Sequence, residues 1–245
     1  MEQLEGRNPV LEALRAGNSI NKIYFQKDAT GSIRGILELA RNSGAVLVES
    51  DKIVLDKLSE GRPHQGVIAQ LAVESYIDFN ELVNRAKYSG DNPIIVLLDH
   101  IEDPYNLGAI LRSALAAGAV GAVIPKRRSA GLSPVVAKAS AGAVAHLPVA
   151  RVANLVNHVK QLKEEGYRIV AADTGGKHFY NADLTGPIAL VIGGEGEGIS
   201  RLLKENCDEI VSLPMSGPIS SLNASVAAGI ILYEMVRQRQ VAKGE

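Results

Sequence analysis

The sequence has no tryptophan, three methionines, three phenylalanines and a single cysteine, Cys207. One cysteine excludes an internal disulfide and suits a reducing compartment. The five histidines are scattered and none stands beside Cys207, so no metal-ligand spacing is present. No apolar run approaches the roughly 20 residues that cross a bilayer. The start, MEQLEGRNPV, is acidic and polar, unlike a signal peptide. An excess of either charge is also missing. The formal net charge is −1, so a polyanionic partner has to be met by local basic patches rather than by a global field. These features lead us to expect a cytoplasmic protein with no membrane segment and no metal.

The 245 residues are enough for one large domain or two unequal ones. RNPVLEALRAGN reads as a short helix with Asn8 as N-cap and Pro9 in the first turn. The next helix, SIRGILELARNSG, puts Ile33, Ile36, Leu37 and Ala40 on one face. With the strands KIYF, AVLVES and GVIAQLAV they form a small α/β module over residues 1–73. This module carries nine Lys or Arg and nine Asp or Glu. Residues 74–91 are more polar and read as a linker containing one short helix. From residue 92 onward, PIIVLLDH, VGAVIP, YRIVAAD, PIALVIGG and EIVSLP are apolar without alternation. Strands of that kind are buried on both faces, as in a parallel sheet. Helices between them predict a doubly wound α/β domain over 92–245, with ligands bound outside the carboxyl ends of its strands.

Three strand ends carry candidate chemistry. The first, LDHIEDPYNLGAILRSA, brings Asn106, Gly108 and Arg112 together; taken singly, Asn106 reads as an N-cap and Arg112 as a solvated helix residue. The second, ALVIGGEGEGISR, has glycines at 193, 194, 196 and 198. Their spacing fails the dinucleotide pattern, since Ile199 stands where the third glycine belongs, and no P-loop lysine follows. Glu195 and Glu197 inside the turn would repel a pyrophosphate. The third, PISSLNASVAAGIILYEM, crowds Ser220, Ser221, Asn223 and Ser225 at the mouth of an apolar helix. A single cap, Ser220 or Ser221, leaves at least two of the four polar side chains without a purpose.

In this order the three segments resemble the motifs of the SpoU/TrmH family of RNA 2′-O-ribose methyltransferases: N-x-G-x-x-x-R at 106–112, G-x-E-x-x-G at 193–198, and LPM followed by SLN-x-S-x-A at 213–227. GRNPVLEAL and HQGVIA also resemble the substrate-binding domain of the branch that methylates a guanosine of 23S rRNA. The resemblance implies an amino-terminal RNA-binding domain and a parallel-sheet SPOUT domain with a carboxyl-terminal trefoil knot. It also implies homodimers, S-adenosyl-L-methionine as methyl donor, and RNA, 23S rRNA or a ribosome-assembly precursor, as partner. It assigns cofactor contacts to Thr174, Gly193, Glu195, Gly198, Leu213, Met215, Leu222 and Asn223. Catalytic roles fall to Arg112, Asn106, Glu195, Ser221 and Asn223, with Glu195 and Asn106 fixing Arg112 and the ribose. Arg7 and the PKRRS cluster, Lys126, Arg127 and Arg128, are assigned to RNA; PKRRS alone reads equally well as a solvated turn. A guanidinium holds its proton too tightly for a literal base, so we favour Arg112 as an electrostatic clamp. The alternatives are a methyltransferase acting on tRNA or another rRNA site, a non-catalytic RNA-binding protein, and a nucleotide-binding oxidoreductase.

Overall fold

The computed structural model describes residues 3–27 and 33–244, which divide into two compact units. The first comprises Met1–Ser75 and Gly131–Pro134. Its sheet contains β1 (Gln3–Glu5), β2 (Ile20–Gln26), β3 (Val46–Ser50) and β4 (Val67–Leu71) in the order β1-β4-β2-β3. The pairings β1–β4 and β2–β4 are antiparallel, and β2–β3 is parallel. Helices α1 (Arg7–Arg15) and α2 (Ile33–Asn42) bury Val10, Ala13, Ile36 and Ala40 in its core; α3 (Lys52–Leu58) buries Leu55. Residues 131–134 join this unit because Leu132 accepts hydrogen bonds from Val73 N and from the buried Asn21 amide. Helix α1 starts one residue before Asn8. Gly6, at φ 95°, is its N-cap, and the Asn8 side chain caps nothing.

The second unit comprises Tyr76–Ala130 and Val135–Glu245. Its first helix, α4 (Phe79–Lys87), is capped by Asp78, whose carboxylate accepts from Asn80 N. Phe79, Leu82, Val83 and Ala86, at helical spacing, lie in the same buried cluster as strand residues Ile95, Leu97 and Val191. The short helix expected inside a linker is therefore a core element, and the expected boundary at residue 92 cuts through the second unit. A fragment beginning at Tyr76 should unfold cooperatively. One beginning at Asp91 loses those four side chains, with Leu-sized losses of roughly 2–5 kcal/mol each, and should lack a cooperative thermal transition by circular dichroism. Equal melting of the two fragments would contradict this placement.

Six parallel strands follow: β5 (Ile94–Asp99), β6 (Gly121–Pro125), β7 (Val149–Val152), β8 (Arg168–His178), β9 (Ile188–Gly193) and β10 (Glu209–Ser212). Their order is β10-β8-β9-β5-β6-β7. All six residues of β5 are buried, as its unbroken apolar run requires. The chain builds outward from β5 to β7, then crosses to the opposite side, so the order reverses between β5 and β9. That reversal is where parallel α/β sheets bind ligands. Helices α5 (Pro104–Ala116), α6 (Pro134–Ala139), α7 (Leu155–Glu164), α8 (Arg201–Glu205) and α9 (Ala224–Lys243) cover the faces. Strand β8 runs past its expected end at Asp173, because the β10 register jumps from Ile210–Ala171 to Val211–Lys177. Gly176 permits this approach: a Cβ there would lie 2.4 Å from Ile210 O.

Candidate active site

The reversal point sets the first two motifs side by side. Asp99, the last residue of β5, pairs with Gly193, the last of β9. The Asp99 side chain is buried; its carboxylate accepts from Ser200 N at 2.8 Å, and its carbonyl accepts from Gly194 N at 2.9 Å. Both ends of the glycine turn are thereby tied to β5. The turn has no room for side chains at its base. A Cβ on Gly193 would stand 2.3 Å from Gly198 C, and one on Gly194 would stand 2.1 Å from His100 O.

The capping residues are not those read from the sequence. Asp103, not Asn106, caps α5 by accepting from Tyr105 N. Asn223, not Ser220 or Ser221, caps α9, its Oδ1 accepting from Ser225 N at 2.9 Å, Val226 N at 3.3 Å and Ser225 Oγ at 2.6 Å. Asn106 is consequently free of capping, and its amide takes part in a network. Asn106 Nδ2 donates to Glu195 Oε1 at 3.1 Å, while Asn223 Nδ2 donates to Asn106 Oδ1 at 2.8 Å and also to Glu195 Oε1. One residue from each motif thus meets in a single hydrogen-bonded triangle around a carboxylate.

Beside the triangle lies a cavity of about 360 Å³. Thr174, Gly193, Glu195 and Gly198 line it, as do Leu213, Met215, Ser221 and Leu222. Asn223 and Asn106 are not among the lining residues and join the cavity only through Glu195. Ile192, Val211 and Ile231 add apolar wall. The described lining carries three carboxylates, Asp173, Glu195 and Glu197, and no Lys or Arg. A phosphate would be repelled there, whereas a ligand joining an apolar ring to a positive charge suits these walls. Sequence reasoning did not assign Asp173 or Glu197 to the site. The position of Asp173 directly before Thr174, at the read end of a parallel strand, was the available signal for it.

Arg112 lies elsewhere. It is exposed on α5, outside the cavity lining, and its side chain makes no hydrogen bond or ion pair among the described residues. Glu195 and Asn106 do not hold Arg112 here: Glu195 Oε1 and the Asn106 amide bond to each other and to Asn223, and neither residue meets the Arg112 side chain. In PKRRS, Arg128 turns toward the glycine loop, with its guanidinium 3.4 Å from both Glu197 Oε2 and His100 Nε2. The side chains of Lys126 and Arg127 have no such partner among the described residues. Arg7 is at the start of α1 in the first unit, where its Nε donates to Gln65 O. The Cys207 thiol is pushed up to about 11, chiefly by burial, so at neutral pH it is a protonated core group rather than a nucleophile. Among the described residues no three His, Cys, Asp or Glu side chains assemble as a metal site, and no helix is long and apolar enough to cross a membrane.

A parallel α/β sheet whose reversal point carries a glycine turn and an acidic, half-apolar cavity defines a small-molecule-binding catalytic domain, here joined to a smaller α/β unit. The chain belongs to the SpoU family of rRNA methylases, SpoU/TrmH-type RNA methyltransferases, whose family model matches residues 93–233. A model for RNA 2′-O ribose methyltransferase substrate binding matches residues 3–76. The Bacillus subtilis protein YacO, named for the TrmH family of tRNA/rRNA methyltransferases, is 44% identical over 96% of this chain and 94% of its own. The SpoU methyltransferase AviRb of Streptomyces viridochromogenes, solved in complex with AdoMet, is 28% identical. It superposes with a TM-score of 0.62 over 98% of this chain and 90% of that one. An AdoMet-bound rRNA methyltransferase of Sinorhizobium meliloti is 25% identical, with a TM-score of 0.61 over 96% and 86%. The architecture described above is that of this SPOUT fold.

Proposed function

We propose that the protein methylates the ribose 2′-OH of a guanosine in 23S rRNA, with S-adenosyl-L-methionine as donor. The observation that carries the chemistry is the Asn106–Glu195–Asn223 triangle, which joins the three motif segments at the rim of a cavity free of basic residues. The AdoMet-bound relatives support the cofactor, and the rRNA names of the matching family and of the Sinorhizobium relative support the target. YacO's name covers tRNA as well as rRNA, so tRNA is the second reading. The residues present fit the cofactor. Leu213, Met215, Leu222 and Ile192 would offer an apolar slot for the adenine, backbone groups near Gly193, Leu213 and Leu222 would hold its polar edges, and the carboxylates would suit a cation.

When bound, S-adenosyl-L-methionine supplies a methyl group already activated on a sulfonium. The protein's task is then alignment and help with one proton. Glu195 holds both amides, so Asn106 and Asn223 present fixed polar atoms at the rim, and the Ser221 hydroxyl on the cavity lining is left to meet the ribose. Arg112 is left to clamp the adjacent phosphate and to stabilise negative charge developing on the 2′ oxygen. Lys126 and Arg127 give the RNA backbone further contacts.

The functional form we infer is a homodimer. Val226, Ile230 and Tyr233 recur at helical spacing on α9 and are 49%, 38% and 54% exposed, an apolar stripe that a partner would cover. Ile230→Asp should convert the dimer to monomer in analytical ultracentrifugation, with an unchanged circular dichroism spectrum. A variant that still sediments as a dimer would exclude this helix from the interface. The function itself is tested by incubating the protein and S-adenosyl-L-methionine with unmodified 23S rRNA and, separately, with tRNA, then digesting to nucleosides. 2′-O-methylguanosine from the rRNA supports the first reading, and from tRNA alone the second.

A further inference from the structure

Two non-glycine residues of the second unit, His100 at φ 56° and Arg128 at φ 54°, hold left-handed backbone conformations and bring their side chains together. The strand order explains their meeting. β5 runs between β9 and β6, so His100, the residue after β5, stands between the glycine turn and PKRRS. The backbone fixes both neighbours to this strand end. Gly194 N donates to Asp99 O at 2.9 Å, and Ala130 N donates to Ile101 O at 2.8 Å. The His100 carbonyl is also the group that leaves no room for a Cβ on Gly194. A left-handed position that keeps a bulky side chain, where glycine would be easier, points to a use for that side chain.

The His100 ring is 12% exposed, and each of its nitrogens lies 3.2 Å from a carboxylate oxygen. Nδ1 faces Asp99 Oδ1 and Nε2 faces Glu197 Oε2. Nδ1 is buried without an aligned hydrogen bond, so proximity and charge hold it at Asp99. Arg128 approaches the same Glu197 oxygen at 3.4 Å. Both members of that pair are about two-thirds exposed, so it contributes little by itself. The enclosed ring is the firmer partner. Glu197 lies outside the G-x-E-x-x-G pattern and takes no part in the Asn106–Glu195–Asn223 triangle. The tip of the glycine turn is therefore held from two directions, through Glu195 by the two amides and through Glu197 by His100. Between them a Cβ on Gly196 would meet nothing within 4 Å, so packing at that position does not hold the tip.

We propose that His100 is a positioning residue for the cofactor turn, acting through Glu197 to keep Glu195 in place against Asn106 and Asn223. Arg128 closes the same grip from the PKRRS side. The proposal rests on the methyltransferase reading and adds to it a residue outside the spans 106–112, 193–198 and 213–227.

His100→Gly separates the ring from the backbone, because glycine adopts this φ without strain. His100→Asn also tolerates positive φ but is too short to span Asp99 and Glu197. It controls for the added freedom of glycine and stands in should His100→Gly fail to fold. The readouts are calorimetry with S-adenosyl-L-methionine and amide hydrogen exchange of the cofactor-free full chain. Both variants should melt within about 4 °C of wild type and bind the cofactor about three- to fivefold more weakly. The Gly198 amide, which closes the turn on Gly194 O at 2.9 Å, should exchange faster while the β5 amides keep wild-type protection. A general loss of stability would not produce that local pattern. Glu197→Ala should show the same loss, and His100→Gly combined with Glu197→Ala should lose no more than either alone. Wild-type affinity and exchange in the His100 variants would overturn the role of the ring and leave the methyltransferase reading standing. Losses that add in the double variant would overturn the route through Glu197. A wild-type chain that binds no S-adenosyl-L-methionine would overturn both the proposal and that reading.

Discussion

Arg112→Ala is expected to lower methyl transfer by about 10²- to 10³-fold, the loss typical of removing one preorganised charge-stabilising donor, while S-adenosyl-L-methionine binds as before. Two structural facts separate these effects. Arg112 is absent from the cavity lining, so truncating it leaves the cofactor walls intact. It also has no partner among the described residues, so its removal strands no buried group. Arg112→Lys should recover little, because an ammonium cannot span two oxygens as the planar guanidinium does. Single-turnover kinetics with saturating cofactor, beside a calorimetric titration, provide the readout. Normal turnover in Arg112→Ala, or a defect confined to cofactor affinity, would remove Arg112 from the reaction.

Gly193→Ala should abolish cofactor binding. The added Cβ would sit 2.3 Å from Gly198 C and 2.5 Å from Ile199 N, both backbone atoms held in place by the turn and by Asp99. No rotamer relieves such a clash, so the turn must open and Glu195 must leave Asn106 and Asn223. Gly196→Ala is the control, since nothing lies within 4 Å of a Cβ there and φ is not in the left-handed region. We expect it to bind cofactor within about threefold of wild type, about 0.6 kcal/mol. Calorimetry on the two variants decides the matter: equal affinities would mean that the turn is not the cofactor cradle.

Much of this was legible in the sequence. The unbroken apolar runs from PIIVLLD to EIVSLP specify a parallel sheet because each strand is covered on both faces, and the glycine-rich and Ser-Asn segments fall at strand ends because that is where such sheets leave room. The triangle was not legible. Asn106 is 89 residues from Glu195 and 117 from Asn223, and no local pattern says which of several small polar side chains will cap and which will be spared. Asn8 and Asn106 illustrate the difficulty. Both stand at helix starts with good capping chemistry, yet Gly6 and Asp103 occupy the cap positions. The role of α4 was missed for another reason. Its polar composition suggested a tether, although Phe79, Leu82, Val83 and Ala86 already form a helical stripe. The extension of β8 depended on a register jump against β10, which is a property of the pair and not of either strand.

The most direct test of ribose methylation is nucleoside mass spectrometry of 23S rRNA transcribed without modifications and incubated with the protein and isotopically labelled S-adenosyl-L-methionine. The expected result is label in 2′-O-methylguanosine at one position, lost in Arg112→Ala. Label found only in base-methylated nucleosides, or none in any RNA despite tight cofactor binding, would contradict it.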